Sequence, residues 1–198
     1  FPPQQQYFGG HDFGMTFSCD STLYLVSVQT RTLYKLNLDG SSEVIGSVGA
    51  LGANISAIAA YGNPTQLYGM GNGTFENGEV DSPNLYRIGV SGENAGSAQM
   101  VGPLGMGTNF NAYDQAGLAF DNEGALWAIT DRRIIDDKQA ANQPSEILRI
   151  DLDTGAATHV ATTSEIGFES LAIASPGGCI VVEDPVKDGF QAVPIPAL

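Results

Sequence analysis

Apolar and polar residues alternate through Leu33-Tyr34-Lys35-Leu36, Leu85-Tyr86-Arg87-Ile88 and Ile147-Leu148-Arg149-Ile150. A period of two sends successive side chains to opposite faces, which is the pattern of a strand. Each motif runs into a glycine turn, at Gly40, Gly92 and Gly155, and then into a second β-rich run: Glu43-Val44-Ile45-Gly46, Ala98-Gln99-Met100-Val101 and Thr158-His159-Val160-Ala161. Upstream lies a further repeat in which an aromatic residue is followed by a turn and then Leu-aromatic. Its copies are Phe17 to Leu23-Tyr24, Tyr61 to Leu67-Tyr68 and Phe120 to Leu126-Trp127, with a weaker one from Leu171-Ala172-Ile173 to Cys179-Ile180. No stretch keeps a capped helical period.

Each unit therefore reads as four short antiparallel strands, A to D, joined by Gly/Asp/Asn turns. Units of roughly 40 to 50 residues with four strands each are the mark of a propeller blade. Four units in 198 residues predict an all-β fold: a four-bladed β-propeller of four-stranded antiparallel blades. One domain is expected, with blades near 14–53, 54–113, 114–165 and 166–198 plus 1–13. The last unit is short of a strand, because Pro194 and Pro196 spoil the run after Gly189 to Val193, and proline removes a ladder donor. The segment around Gln6-Tyr7-Phe8 is expected to supply that strand D, so that pairing of the N- and C-terminal segments closes the ring. Tyr24, Tyr68 and Trp127 share one strand B position and are expected in the core between blades.

Two cysteines test the closure. Cys19 falls at the A–B turn of blade 1 and Cys179 at the start of strand B in blade 4, blades that neighbour each other only in a closed ring of four. A bridge spanning most of the chain would contribute about 5 kcal/mol in the chain-entropy model. Disulfides belong to oxidising compartments, and two sequons, Asn54-Ile55-Ser56 and Asn72-Gly73-Thr74, add potential glycosylation sites. The chain opens Phe1-Pro2-Pro3-Gln4, with no Met, basic region or apolar leader core, as a processed form would. No apolar run of eighteen residues occurs, so no membrane insertion is expected. A secreted, extracellular protein is the expectation.

Charge narrows the partners. Eight Lys+Arg against 22 Asp+Glu leave a net charge of −14, which argues against nucleic acid and anionic membranes, since both demand a basic surface. Cations and neutral ligands such as carbohydrate, or a protein partner, remain.

The run Phe17-Ser18-Cys19-Asp20 to Leu23-Tyr24, then Thr32-Leu33-Tyr34-Lys35-Leu36-Asn37-Leu38-Asp39-Gly40, then Ala57-Ile58-Ala59-Ala60-Tyr61-Gly62 to Gln66-Leu67-Tyr68-Gly69-Met70 resembles an uncharacterised family of secreted bacterial and fungal propeller domains with Leu-Tyr-Arg-Ile-Asp…Thr-Gly repeats. The likeness spans roughly residues 14 to 185. Its motifs mark strands and turns and imply the fold; they carry over no functional residue. Size and an end-to-end disulfide also resemble hemopexin-like four-bladed domains, in architecture alone.

In such a ring the D–A and B–C connections share one face at the channel mouth. The long ones are expected there: 71–83, 105–116 and 130–145, and loops of surplus length are where function collects. Phe75, Phe110 and Tyr113 fall in them and could offer a platform to a sugar or a protein. Arg132 and Arg133 could fork onto a carboxylate or stack on a ring. Asp12, Asp114 and Glu169 each precede an inner strand, so together they could hold Ca²⁺, a hard cation that takes oxygen ligands. The alternative reading is solvated turn formers, and Asp151-Leu152-Asp153-Thr154-Gly155 lacks the twelfth-position Glu of a calcium loop and reads as a hairpin turn. His11, beside Asp12, is the one histidine placed near the axis, while His159 falls on an outer strand D. No Gly-x-Ser-x-Gly, His-Glu-x-x-His or Cys-x-x-Cys occurs, and the glycines of 69–73 and 102–107 precede no helix and read as loops. Two functions follow as expectations: a non-enzymatic module binding a glycan or protein ligand at the channel mouth, or a metal-dependent hydrolase or lyase with a cation held there.

Overall fold

The structure, a computed structural model, describes residues 13–73, 75–76, 79–80, 83–105, 116–130, 143–168 and 170–173. It is all-β, with a single 3₁₀ turn at Gly92–Asn94 among these residues. The first sheet holds β1 (Phe13–Phe17), β2 (Leu23–Ser27), β3 (Thr32–Leu36) and β4 (Ser42–Ile45), in that order. The second is built from β5 (Asn54–Tyr61), β6 (Gln66–Gly73), β9 (Asn84–Ile88) and β10 (Ala98–Pro103). A two-stranded hairpin, β7 (Phe75–Glu76) and β8 (Glu79–Val80), is inserted between its two middle strands. The third sheet orders β11 (Ala116–Phe120), β12 (Leu126–Thr130), β13 (Glu146–Ile150) and β14 (Ala157–Thr162). All pairings within these sheets are antiparallel. The fourth expected unit falls mostly outside the described residues, as do Cys179 and the N-terminal segment that was to pair with it.

Alternation decides how the sheets stack. Tyr24, Val26 and Leu33 point from the first sheet into a core with Ile58, Ala60, Leu67, Tyr86 and Ile88 of the second. The opposite face of the second sheet, Ala57, Ala59, Tyr68, Met70 and Leu85, packs on Leu118, Phe120, Leu126, Ala128, Leu148 and Ile150 of the third. The second sheet is thus apolar on both faces, and each large side chain buried this way contributes about 1.5–3 kcal/mol. Tyr24 and Tyr68 are buried between sheets, as expected. Trp127 departs from that expectation: it is half-buried, because its face of the third sheet looks away from the second, towards residues 170–173.

The inner strands run side by side. A Cβ added to Gly14 would come within 2.7 Å of the Ser56 carbonyl oxygen, and one on Gly117 within 2.3 Å of the Leu171 nitrogen. At the other end, the rings of Tyr61 and Phe120 stand 5.0 Å apart. So β1, β5, β11 and residues 170–173 follow one another side by side. A second seam lies on the rim, where Gly46 abuts Ala95–Gly96 and Gly102 abuts Thr154–Gly155.

The expectation that the glycines of 69–73 form a loop is corrected. Gly69 and Gly71 lie inside β6, where a Cβ would strike Ile55 at 2.7 Å and the Asn54 carbonyl oxygen at 1.9 Å. These glycines are bare because the neighbouring β5 leaves no room. The connection read as 71–83 is shorter for the same reason, and part of it is the β7–β8 hairpin.

Candidate functional site at the ends of the inner strands

The topology sorts the connections into two ends. At the end where inner strands finish, the A–B and C–D turns of the first and third sheets are short and locked by aspartates. The Asp20 carboxylate accepts from the Ser18 hydroxyl and from the Thr22 amide at 3.0 Å, and the Ser18 bond above all holds its pKa below the usual 3.8. Asp121 accepts from the amides of Glu123 and Ala125, both at 2.9 Å, and from the Trp127 indole N–H at 2.7 Å. The Trp127 bond is the leading cause of its lowered pKa. In the C–D turns, Asp39 takes the Ser41 hydroxyl and amide, and Asp151 takes the Thr154 hydroxyl and amide and the Asp153 amide. Both carboxylates are again held below the ordinary value, first by those side-chain hydroxyls. Each is an Asx-type turn, and Asp151 is the hairpin turn expected. The sequence signal is clearest at Asp39 and Asp151, each with a Ser or Thr two or three residues on whose hydroxyl it accepts from.

At the opposite end, where inner strands begin, the longest connections gather: 74–83, 104–115 and 131–145. The first sheet is tied to the second here by Arg31, whose Nε donates to Asn54 Oδ1 at 3.0 Å, while its backbone takes a positive φ of 49°. Asn54, one of the two sequon residues, is therefore a half-buried bridge between sheets. Asn72 lies in β6.

Towards the end where the inner strands finish lies a cavity of about 370 Å³, lined by Met15, Thr16 and Phe17 of β1, Leu23 of β2, Ala59 and Ala60 of β5, Leu118 to Phe120 of β11, and Leu171 to Ile173. Four segments that are equivalent in the repeats thus face one space. Among the described residues, the lining carries no ionisable side chain, and Thr16 supplies its one side-chain hydroxyl. Its described walls offer surface to apolar groups, and no described side chain there is a carboxylate, imidazole or thiol. Among the described residues, no group of three or more His, Cys, Asp or Glu could hold a metal ion.

The expected site residues divide as follows. Phe75 is placed in β7, on the inserted hairpin. Asp12, Phe110, Tyr113, Asp114, Arg132, Arg133, Glu169 and His11 lie outside the described residues, as does Cys179. Cys19 sits half-buried in the β1–β2 turn, one residue before Asp20. His159 lies exposed on outer β14, its Nε2 2.9 Å from the Thr162 hydroxyl, away from the inner strands.

Neither a protein-family model nor a characterised protein sequence matches the chain. Solved structures that resemble it include the PQQ-bound aldose sugar dehydrogenase of Streptomyces coelicolor, at 18% identity and a TM-score of 0.48, covering 74% of this chain and 46% of that one. Virginiamycin B lyase of Staphylococcus aureus matches at 17% identity and a TM-score of 0.41, covering 83% of this chain and 42% of its own. A streptogramin B lyase matches at 20% identity and 0.42, covering 88% and 44%. The chain spans less than half the length of each. Likeness at this level carries no inference about activity.

Proposed function

We propose that this chain is a secreted binding module of propeller type, its four units closed into a ring, that recognises a glycan or protein ligand at the end of the axis where the inner strands begin. The supporting observation is the division of the connections. At one end, four of the turns in the first and third sheets are pinned by aspartates, and at the other start and finish the longest connections of the chain, one of which holds the β7–β8 hairpin with Phe75 in β7. Loops of surplus length on a rigid scaffold are where recognition is built. Phe110, Tyr113, Arg132 and Arg133 belong to those segments by sequence and are the proposed contacts.

A second reading, a metal-dependent hydrolase or lyase, draws support from one feature. Asp12, Asp114 and Glu169 adjoin in sequence the starts of β1, β11 and residues 170–173, segments that stand around one axis, and Ca²⁺ is the ion such oxygens would take. One set of measurements separates the two. The binding reading predicts no bound metal by elemental analysis, no fall in melting temperature with EDTA, and glycan-array or protein-pull-down binding lost in Phe110→Ala and Tyr113→Ala. Stoichiometric calcium whose removal lowers the melting temperature would overturn it in favour of the enzyme.

A further inference from the structure

We propose that the cavity at the end where the inner strands finish is a second binding site, and that it takes a small aromatic amine in its cationic form. It lies at the opposite end of the sheets from the surface proposed above and does not depend on that surface.

Register shows why there is room. The repeated Leu-aromatic motif opens strand B of each sheet, and the residue paired with its leucine is Phe17 in the first sheet, Phe120 in the third and Ala60 in the second. The second sheet thus carries a methyl group where its equivalents carry a ring. Tyr61, the next residue, does not make up the difference. Its ring packs on Phe120 at 5.0 Å, and it takes no part in the cavity lining. Ala59, Ala60 and Phe120 form a buried floor, none more than 8% exposed, while Met15 and Phe17, each 59% exposed, give the open side. An apolar cavity of roughly 150 Å³ holds benzene, so about 370 Å³ takes one ring with a short substituent. That volume falls at the small end of ligand pockets.

Charge decides the substituent. The β1–β2 turn joins two lining residues, Phe17 and Leu23, and the β11–β12 turn leaves directly from a third, Phe120. These turns carry Asp20, Asp121 and Glu123 and no Lys or Arg. The C–D turns farther out add Asp39, Glu93, Asp151 and Asp153, again with no Lys or Arg. The hydrogen bonds from Ser18 and Trp127 lead in holding Asp20 and Asp121 below the ordinary carboxylate value, so both are ionised at neutral pH. Of the described Lys and Arg residues, Arg31 lies at the other end, between β2 and β3, and Lys35, Arg87 and Arg149 stand on the third strand of their sheets. Two strand spacings put them about 10 Å out from the inner strands. Arg149 bears on Asp121 only as the weakest of its influences. A cleft with a rim of one sign concentrates ligands of the other. The cavity therefore favours a ring bearing an ammonium over the same ring bearing a hydroxyl, and turns away one bearing a carboxylate.

Calorimetric titration of the full chain tests this with three probes of similar shape: phenethylammonium, phenethyl alcohol and hydrocinnamate. The ammonium is expected to bind one per chain, several-fold more tightly than the alcohol, with the carboxylate weakest. Ala60→Phe, which gives the second sheet the ring of its equivalents, is expected to abolish binding of the ammonium and the alcohol alike. Phe17→Ala, at an exposed position that folding can spare, is the second variant. It is expected to weaken both probes several-fold, whether or not Ala60→Phe folds. No saturable binding of the ammonium up to millimolar concentration would overturn the inference. So would the carboxylate binding as tightly as the ammonium. Ammonium affinity unchanged in Phe17→Ala, or in a folded Ala60→Phe, would also overturn it, by placing the amine elsewhere on an acidic surface. None of these results touches the glycan or protein surface, which the array and metal measurements read.

Discussion

Asp20, Asp39, Asp121 and Asp151 do the same work at four turns, and their carboxylates are held below the ordinary value by the donors they accept from. A depressed folded pKa means that the unfolded chain takes up protons first as acid is added. The stabilisation is therefore complete above the ordinary carboxylate value of 3.8 and is lost as pH falls through the lower folded value. Asp121 offers a direct reporter, since it accepts from the indole of Trp127, the single tryptophan of the chain. Trp127 emission is expected to hold steady from neutral pH down to about 4, the model-peptide range for Asp, and to change only below it, with Asp121→Asn removing that step. A step centred above the ordinary value would contradict the assignment. At this scale the sequence was partly legible: the turn aspartates could be placed, but the burial of Trp127 depends on which sheet its face meets, and no local pattern carries that.

Strands were legible where alternation was regular and side chains were present to show it. The three motifs around Lys35, Arg87 and Arg149 became β3, β9 and β13, and their glycine turns fell at Gly40, Gly92 and Gly155. The signal failed in β6, where Gly69 and Gly71 are selected by close approach from β5 and so erase the alternation that would have revealed the strand. It failed again at β7 and β8, too short for a period to show. Close approach gives the element-scale prediction. In Gly117→Ala the new methyl would sit 2.3 Å from backbone of residue 171, which cannot yield as a flexible side chain would. Overpacking of this kind costs about 1–3 kcal/mol, to be read as a lowered urea midpoint. Val160→Ala on exposed β14 should stay within about 0.5 kcal/mol of the parent. Equal midpoints for the two would refute the side-by-side packing of β11 and residues 170–173.

For the whole molecule, the repeats foretold sheets of four antiparallel strands, and the stacking follows from the apolar character of both faces of the second sheet. The candidate site was legible only as a location. Repeats reveal scaffold because scaffold positions recur, whereas a binding surface is built from the connections that differ between units, and those are where Phe110, Tyr113, Arg132 and Arg133 lie. The account as a whole depends on the two ends of the chain meeting beside β1. Peptide mass mapping without reduction tests this most directly. It predicts, in the monomer, a linked pair of peptides carrying Cys19 and Cys179 that separates on reduction. Both thiols open to alkylation in the folded protein, or a link found only between two molecules, would contradict it.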